Sequence, residues 1–219
     1  MAKRKLQRFA DIKQFDNVVD IEISDILNQD FELKLLWKSK FFNNSNPIVL
    51  ELACGKGEYT IGLAEKIPEK NFIGIDRKGD RLWSASKKSS GEDNVVFCWC
   101  EGEHLEEYFA DGEINEVWIT FPDPHSKPCK ANRRLISPRF LKVYKKVVKK
   151  DGVVHLKTDY KELFDYAVEV LEESNVDQLE IIRDVHGQDE IPELLQIKTY
   201  YEKKFIAEGK PIFYLKFSI

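Results

Sequence analysis

The chain lacks any long apolar run. Nothing in its 219 residues approaches the roughly 20 consecutive apolar positions that a membrane-spanning helix needs. The first residues, MAKRKLQRFADI, carry the charge of a secretory leader but no apolar stretch behind it. The expectation is a cytoplasmic protein with no membrane partner. Cysteine is also sparse: Cys54, Cys98, Cys100 and Cys129 show no C-x-x-C spacing. A disulfide framework and a zinc site are both unsupported, so the thiols are expected reduced and no metal is expected. A third absence is local. From Lys127 to Lys150 there is no aspartate or glutamate.

What is present reads as one α/β domain. Hydrophobic residues make up 42% and charged residues 33%, the balance of a globular protein with a sizeable core. Short apolar runs at 48–53, 71–75, 95–99, 116–121 and 152–157 alternate with helical patterns at 58–66, 81–88 and 140–148. A clear amphipathic helix follows from Leu163 to Leu171, then runs at 179–185 and 212–217 with a helix near 200–208 between them. This alternation implies a seven-stranded, mostly parallel, doubly wound sheet, with an antiparallel last strand. Residues 1–45 are read as a basic, helical extension packed outside the sheet, and 46–219 as the core of a single domain. Open sheets of this kind bind ligands beyond the carboxyl ends of their strands.

The first such end is Glu51-Leu-Ala-Cys-Gly55-Lys-Gly57, which opens a helix. Glycines at 55 and 57 permit a tight turn and close ligand approach. Asp76 ends the next strand, where a carboxylate can take a ribose diol. An ordinary helix cap is the other reading of Asp76. A dinucleotide fingerprint requires a third glycine, and Thr60 stands there. Glu51 would repel a pyrophosphate but suits the sulfonium and ammonium of S-adenosyl-L-methionine. Glu101 ends the third strand, where it either meets an adenine amine or is a surface carboxylate.

The fourth end is Phe121-Pro-Asp-Pro124. Flanking prolines stiffen the mount of Asp123 and remove competing N–H donors. An Asx turn is the bland alternative. Behind it come Lys127, Lys130, Arg133, Arg134, Arg139, Lys142, Lys145, Lys146, Lys149 and Lys150. Net charge is −4, yet a local block of this size can hold a polyanion, unless it is a solvated helix face. Lys3, Arg4, Lys5 and Arg8 would add a basic arm, or a frayed terminus.

Together these residues resemble the bacterial tRNA (guanine-N7-)-methyltransferases. The resemblance rests on Glu51 with Gly55 and Gly57, Gly74-Ile-Asp76, Phe121-Pro-Asp-Pro124, Arg133-Arg134-Leu135, Ser137-Pro-Arg-Phe-Leu141, Lys157-Thr-Asp159 and Thr199-Tyr-Tyr-Glu202. It covers the chain after about residue 45 in joint order and spacing. It implies a Rossmann-like class I methyltransferase fold that methylates N7 of a guanosine in the tRNA variable loop. Glu51, Asp76, Glu101 and Asp123 match its donor-binding positions, with Gly55 and Gly57 in the loop. Lys127, Asp159 and Thr199, Tyr201 and Glu202 match substrate positions, and Arg133 and Arg134 would grip phosphate. His125 replaces the family's tryptophan, and Pro128 and Cys129 replace basic residues. The rival readings are a methyltransferase for another substrate, an NAD-dependent oxidoreductase, and a non-catalytic RNA-binding module. The protein is expected as a monomer or homodimer.

Guanine N7 carries a lone pair and no proton, so its methylation requires no general base. The absence of a Ser/His/Asp or Cys/His constellation is consistent with that chemistry. Asp123 is the candidate for holding the base and stabilising the cation that forms. Asp159 with Glu162 also reads as a helix-capping pair, and Thr199 as a helix start.

Overall fold

The computed structural model describes residues 2–22 and 31–219, with side chains from residue 6 onward in the first segment. Among them, eight strands form one sheet: β1 (Val18–Asp20), β2 (Ile48–Leu52), β3 (Asn71–Asp76), β4 (Val95–Trp99), β5 (Ile114–Thr120), β6 (Val148–Thr158), β7 (Asp177–Ile182) and β8 (Phe213–Ser218). Their order is β1-β4-β3-β2-β5-β6-β8-β7. Every pair is parallel except those of β8, which runs antiparallel to both β6 and β7. The last strand is therefore the antiparallel one, as expected. The additional strand is β1. It lies within the first 45 residues and joins the edge of the sheet instead of packing outside it. Its three residues pair in parallel with Phe97–Trp99, Val18 and Val19 pack against the two cores, and Asp20 pairs with Lys13 at 2.9 Å; they carry no periodicity of their own.

The helices are α1 (Ala2–Ile12), α2 (Glu58–Lys66), α3 (Gly79–Lys88), α4 (Leu105–Tyr108), α5 (Pro138–Val147), α6 (Lys161–Glu173) and α7 (Tyr200–Ala207). Central strands β2 and β3 are buried at every position, as strands covered on both faces must be. Alternate residues serve separate cores. Leu50 and Leu52 pack with residues of α4, α5 and α6 such as Tyr108, Phe140 and Phe164. Val49 packs with Tyr59, Leu63, Leu82 and Trp118 on the face of α2 and α3. The sequence direction reverses where β2 pairs with both β3 and β5. At that switch point the carboxyl ends of β2 and β5 lie side by side.

Pro138 occupies the first turn of α5, and the Ser137 Oγ donates to the Asn132 carbonyl at 3.2 Å. Two local expectations shift. Helix α6 is preceded by Tyr160, not Asp159, at its N-cap. The Tyr160 N–H donates to Thr158 Oγ1 at 3.1 Å, so Asp159 and Glu162 do not form a capping pair. Lys149 and Lys150 belong to the exposed start of β6 and not to the helix before it.

Candidate functional site

Glu51 is placed by β2 with its side chain on the α2 face, and it is 2% exposed. Its Oε2 accepts the Thr60 N–H at 2.8 Å and also the Thr60 hydroxyl. Its Oε1 accepts the Thr120 hydroxyl at 2.5 Å. Burial without a cation pushes its carboxyl up to about 7, against the pull of the two threonines. Thr60, where a dinucleotide fingerprint would have glycine, is the residue that satisfies Glu51. Glu51 fastens β2, β5 and the first turn of α2 beneath the loop, and it lines neither cavity described below.

The loop itself needs its glycines for different reasons. Gly55 has φ +59°, and a Cβ built there would meet nothing within 4 Å. Its open side faces a cavity. Gly57 has φ +66°, and a Cβ would come within 2.5 Å of the Phe97 ring. Gly57 is therefore a packing glycine that lets α2 settle on the sheet.

Asp76 ends β3 and holds this loop. Its Oδ2 accepts the Gly55 N–H at 2.9 Å and its Oδ1 the Lys78 N–H at 2.8 Å. Arg81 stands 4.0 Å away. Burial raises the carboxyl above its usual range, and these donors oppose the shift.

Two cavities open at the switch point. The first is lined by Asp76, Arg77, Lys78, Glu101, Asp123 and His125, with Arg133 at its mouth and Leu52 and Phe140 among its apolar walls. The second is lined by Gly55, Lys56, Glu58, Thr199, Tyr200 and Tyr201, under Thr120. Ala53, Arg81 and Phe121 line both. The partition is strained. Ala53 (φ +57°), Phe121 (φ +49°) and His125 (φ +43°) all adopt the left-handed backbone that non-glycine residues avoid. Burial lowers His125 below its usual range. Lys130, Arg133 and Arg77 reinforce that shift and Asp123 opposes it.

The first cavity thus brings Asp76, Glu101, Asp123 and Arg133 together, and the second holds Gly55, Thr199 and Tyr201. Lys127 is exposed on the loop outside both. Arg134 Nε and Nη2 donate to the His125 carbonyl at 3.4 and 3.3 Å, and its guanidinium lies 4.2 Å over the Tyr166 ring of α6. Asp159 pairs with Lys210 at 3.8 Å, away from both cavities. Thr199 caps α7, its Oγ1 accepting the Glu202 N–H at 3.2 Å. Glu202 is fully buried. Its Oε1 meets Lys157 Nζ and His186 Nε2, each at 2.8 Å, while its Oε2 has no hydrogen-bond partner among the described residues.

Several lining residues escape sequence reasoning. Arg81, common to both cavities, had a faint signal in the Asp76-Arg-Lys-Gly-Asp-Arg81 run. Glu58 had none: its Oε2 accepts the Tyr200 N–H at 2.7 Å across 142 positions of sequence. No described helix is long and apolar enough to cross a membrane, and no cluster of metal-ligating side chains occurs among the described residues.

A family model described as "Putative methyltransferase" matches residues 45–215. A tRNA (guanine-N(7)-)-methyltransferase of Christiangramia forsetii is 43% identical, covering 100% of this chain and 99% of that protein. One from Bacteroides thetaiotaomicron is 42% identical, covering 100% of this chain and 87% of that protein. Among solved structures, the 16S rRNA methyltransferase KamB superposes with a TM-score of 0.62 at 12% identity, over 83% of this chain and 91% of that one. That likeness concerns the fold.

Proposed function

The chain belongs to the tRNA (guanine-N(7)-)-methyltransferase family, and from that premise we propose how its site transfers a methyl group from S-adenosyl-L-methionine to N7 of a guanosine in tRNA. The observation that carries the reading is one of placement. Carboxylates at the ends of three strands, Asp76, Glu101 and Asp123, converge on a single cavity at the switch point.

The residues present fit the donor. Asp76 and Glu101 line the first cavity and offer acceptors for a ribose diol and an adenine amine. Gly55, with open space where a Cβ would stand, lines the second cavity, which shares Ala53, Arg81 and Phe121 with the first. S-adenosyl-L-methionine supplies an electrophilic methyl group on a sulfonium. Everything else is alignment by the protein. Asp123, on its proline-stiffened mount, orients the base from the edge of the first cavity. As N7 gains its fourth bond the ring becomes cationic, and the Asp123 carboxylate stabilises that charge. Phe121, Thr199 and Tyr201 shape the second cavity as the entry for an unstacked guanine. Arg133 takes phosphate at the mouth and Lys127 on the loop outside it. The His125 ring, whose protonation burial disfavours, offers a stacking face at the wall of the first cavity. We read the whole chain as one catalytic domain, with 1–45 an extension of it, working where tRNA is found in the cytoplasm.

The test is incubation with methyl-labelled S-adenosyl-L-methionine and unmodified tRNA, followed by nucleoside digestion. The expected product is 7-methylguanosine. Label in another nucleoside, in protein or in a small molecule would overturn the assignment. Asp123→Ala should lower kcat by about 100-fold or more while the thermal unfolding midpoint stays unchanged.

A further inference from the structure

Lys157 is fully buried in β6, beneath the site and outside both cavities. All three of its ammonium protons have a partner: the Leu195 carbonyl at 2.8 Å, the Ile197 carbonyl at 3.2 Å and Glu202 Oε1 at 2.8 Å. Its ring neighbour is Tyr59 of α2, 5.3 Å from the nitrogen. Such a pair is a poor device for stability. Desolvating both charges offsets most of their attraction, and apolar residues of like volume do as well. What the pair does supply is direction. Leu195, Ile197 and Glu202 flank Thr199–Tyr201 on both sides, so one ammonium fixes the start of α7 and the turn that leads into it. The backbone of the same residue holds the opposite wall: the Lys157 carbonyl accepts the Phe121 N–H at 2.8 Å. Phe121 is the residue that leads into Pro122-Asp123. His186, from the loop after β7, braces the shared carboxylate from the other side at 2.8 Å.

We propose that Lys157 is a positioning residue, seconded by His186, that sets the Thr199–Tyr201 wall against the Phe121–Asp123 wall. It governs methyl transfer without touching either reactant. This rests on the reading that the second cavity receives the guanine.

The experiment compares Lys157→Met, His186→Leu, His186→Gln and Tyr201→Ala in the full chain. Unfolding midpoint, S-adenosyl-L-methionine affinity by calorimetry, and kcat and KM for tRNA are measured for each. A wall displaced by an ångström loses about 100-fold in rate. Lys157→Met should therefore lower kcat/KM for tRNA about 100-fold while donor affinity moves less than about 3-fold. His186→Leu should lose about 10-fold, and His186→Gln, which keeps an N–H for Glu202, should recover most of it. A folded Lys157→Met with tRNA kinetics like the parent overturns the proposal. If that variant does not fold, the His186 pair decides, and equal activity of His186→Leu and His186→Gln overturns it. Tyr201→Ala separates the two levels: unchanged tRNA kinetics there would sink the guanine-cavity reading itself.

Discussion

Glu51 has three hydrogen-bond donors around its carboxyl and no cationic partner among the described residues. Its folded-state value of about 7 lies above its ordinary 4.5, so between those values the folded chain binds a proton that the unfolded chain does not. Stability contributed by that proton is complete below the unfolded value and is lost as pH rises through about 7. The full loss is about 3 kcal/mol at 1.36 kcal/mol per tenfold. Glu51→Gln keeps a hydrogen-bonding group of the same shape and cannot ionise. The variant should match the parent near pH 5 and exceed it progressively toward pH 8, as read from urea unfolding at each pH. Parallel pH profiles would show that Glu51 is ionised without cost. At this scale the sequence reveals a carboxylate in an apolar strand and rightly marks it as unusual. It does not reveal that Thr60 and Thr120 satisfy it, because neither partner is a charge and one lies on another strand.

Elements were legible where the pattern was local. The helices at 58–66 and from Tyr200, and the strand at 95–99, follow periodicity and stop signals closely. Strand β1 was not legible, since three residues held by a neighbouring strand and by tertiary packing leave no period. Nor was the division of labour in the loop after β5. Arg133 and Arg134 look alike in sequence, yet Arg133 stands at the cavity mouth while Arg134 is turned inward on the His125 carbonyl and the Tyr166 ring. The difference is a tertiary one, made by α6. It predicts different failures. Arg134→Ala should destabilise the chain by roughly 2 kcal/mol, the sum of a charged hydrogen bond and a stacked guanidinium, and lower kcat as the Asp123 loop loosens. Arg134→Lys should not rescue it, since an ammonium lacks the planar fork. Arg133→Ala should raise KM for tRNA and leave stability unchanged. Thermal melts with steady-state kinetics tell the two apart, and identical profiles would refute the distinction.

For the whole molecule, a net charge of −4 conceals a strip of the opposite sign. Part of the basic block is neutralised in the fold: Arg139 pairs with Glu103 at 3.3 Å and Lys146 with Glu106 at 3.1 Å. Those acidic partners precede the block in sequence, so the composition of 127–150 alone overstates its free charge. Lys127, Lys130, Arg133, Lys142, Lys145, Lys149 and Lys150 form no ion pair among the described residues. They run from the cavity mouth along the outer face of α5 to the opposite end of β6, a path suited to a phosphate backbone extending away from the reacting base. Such contacts release counterions, so tRNA affinity should fall steeply with salt. Lys142 is exposed midway along α5 and lines no cavity. Lys142→Glu should weaken tRNA binding and flatten the plot of log affinity against log salt by about 0.7–0.9. Its kcat at saturating tRNA should be unchanged. Lys40→Glu alters net charge equally from an exposed position outside the strip, and it should move neither the slope nor KM. If both substitutions weaken binding alike, the RNA responds to the overall field of the protein; if only Lys142→Glu does, the strip along α5 is the track.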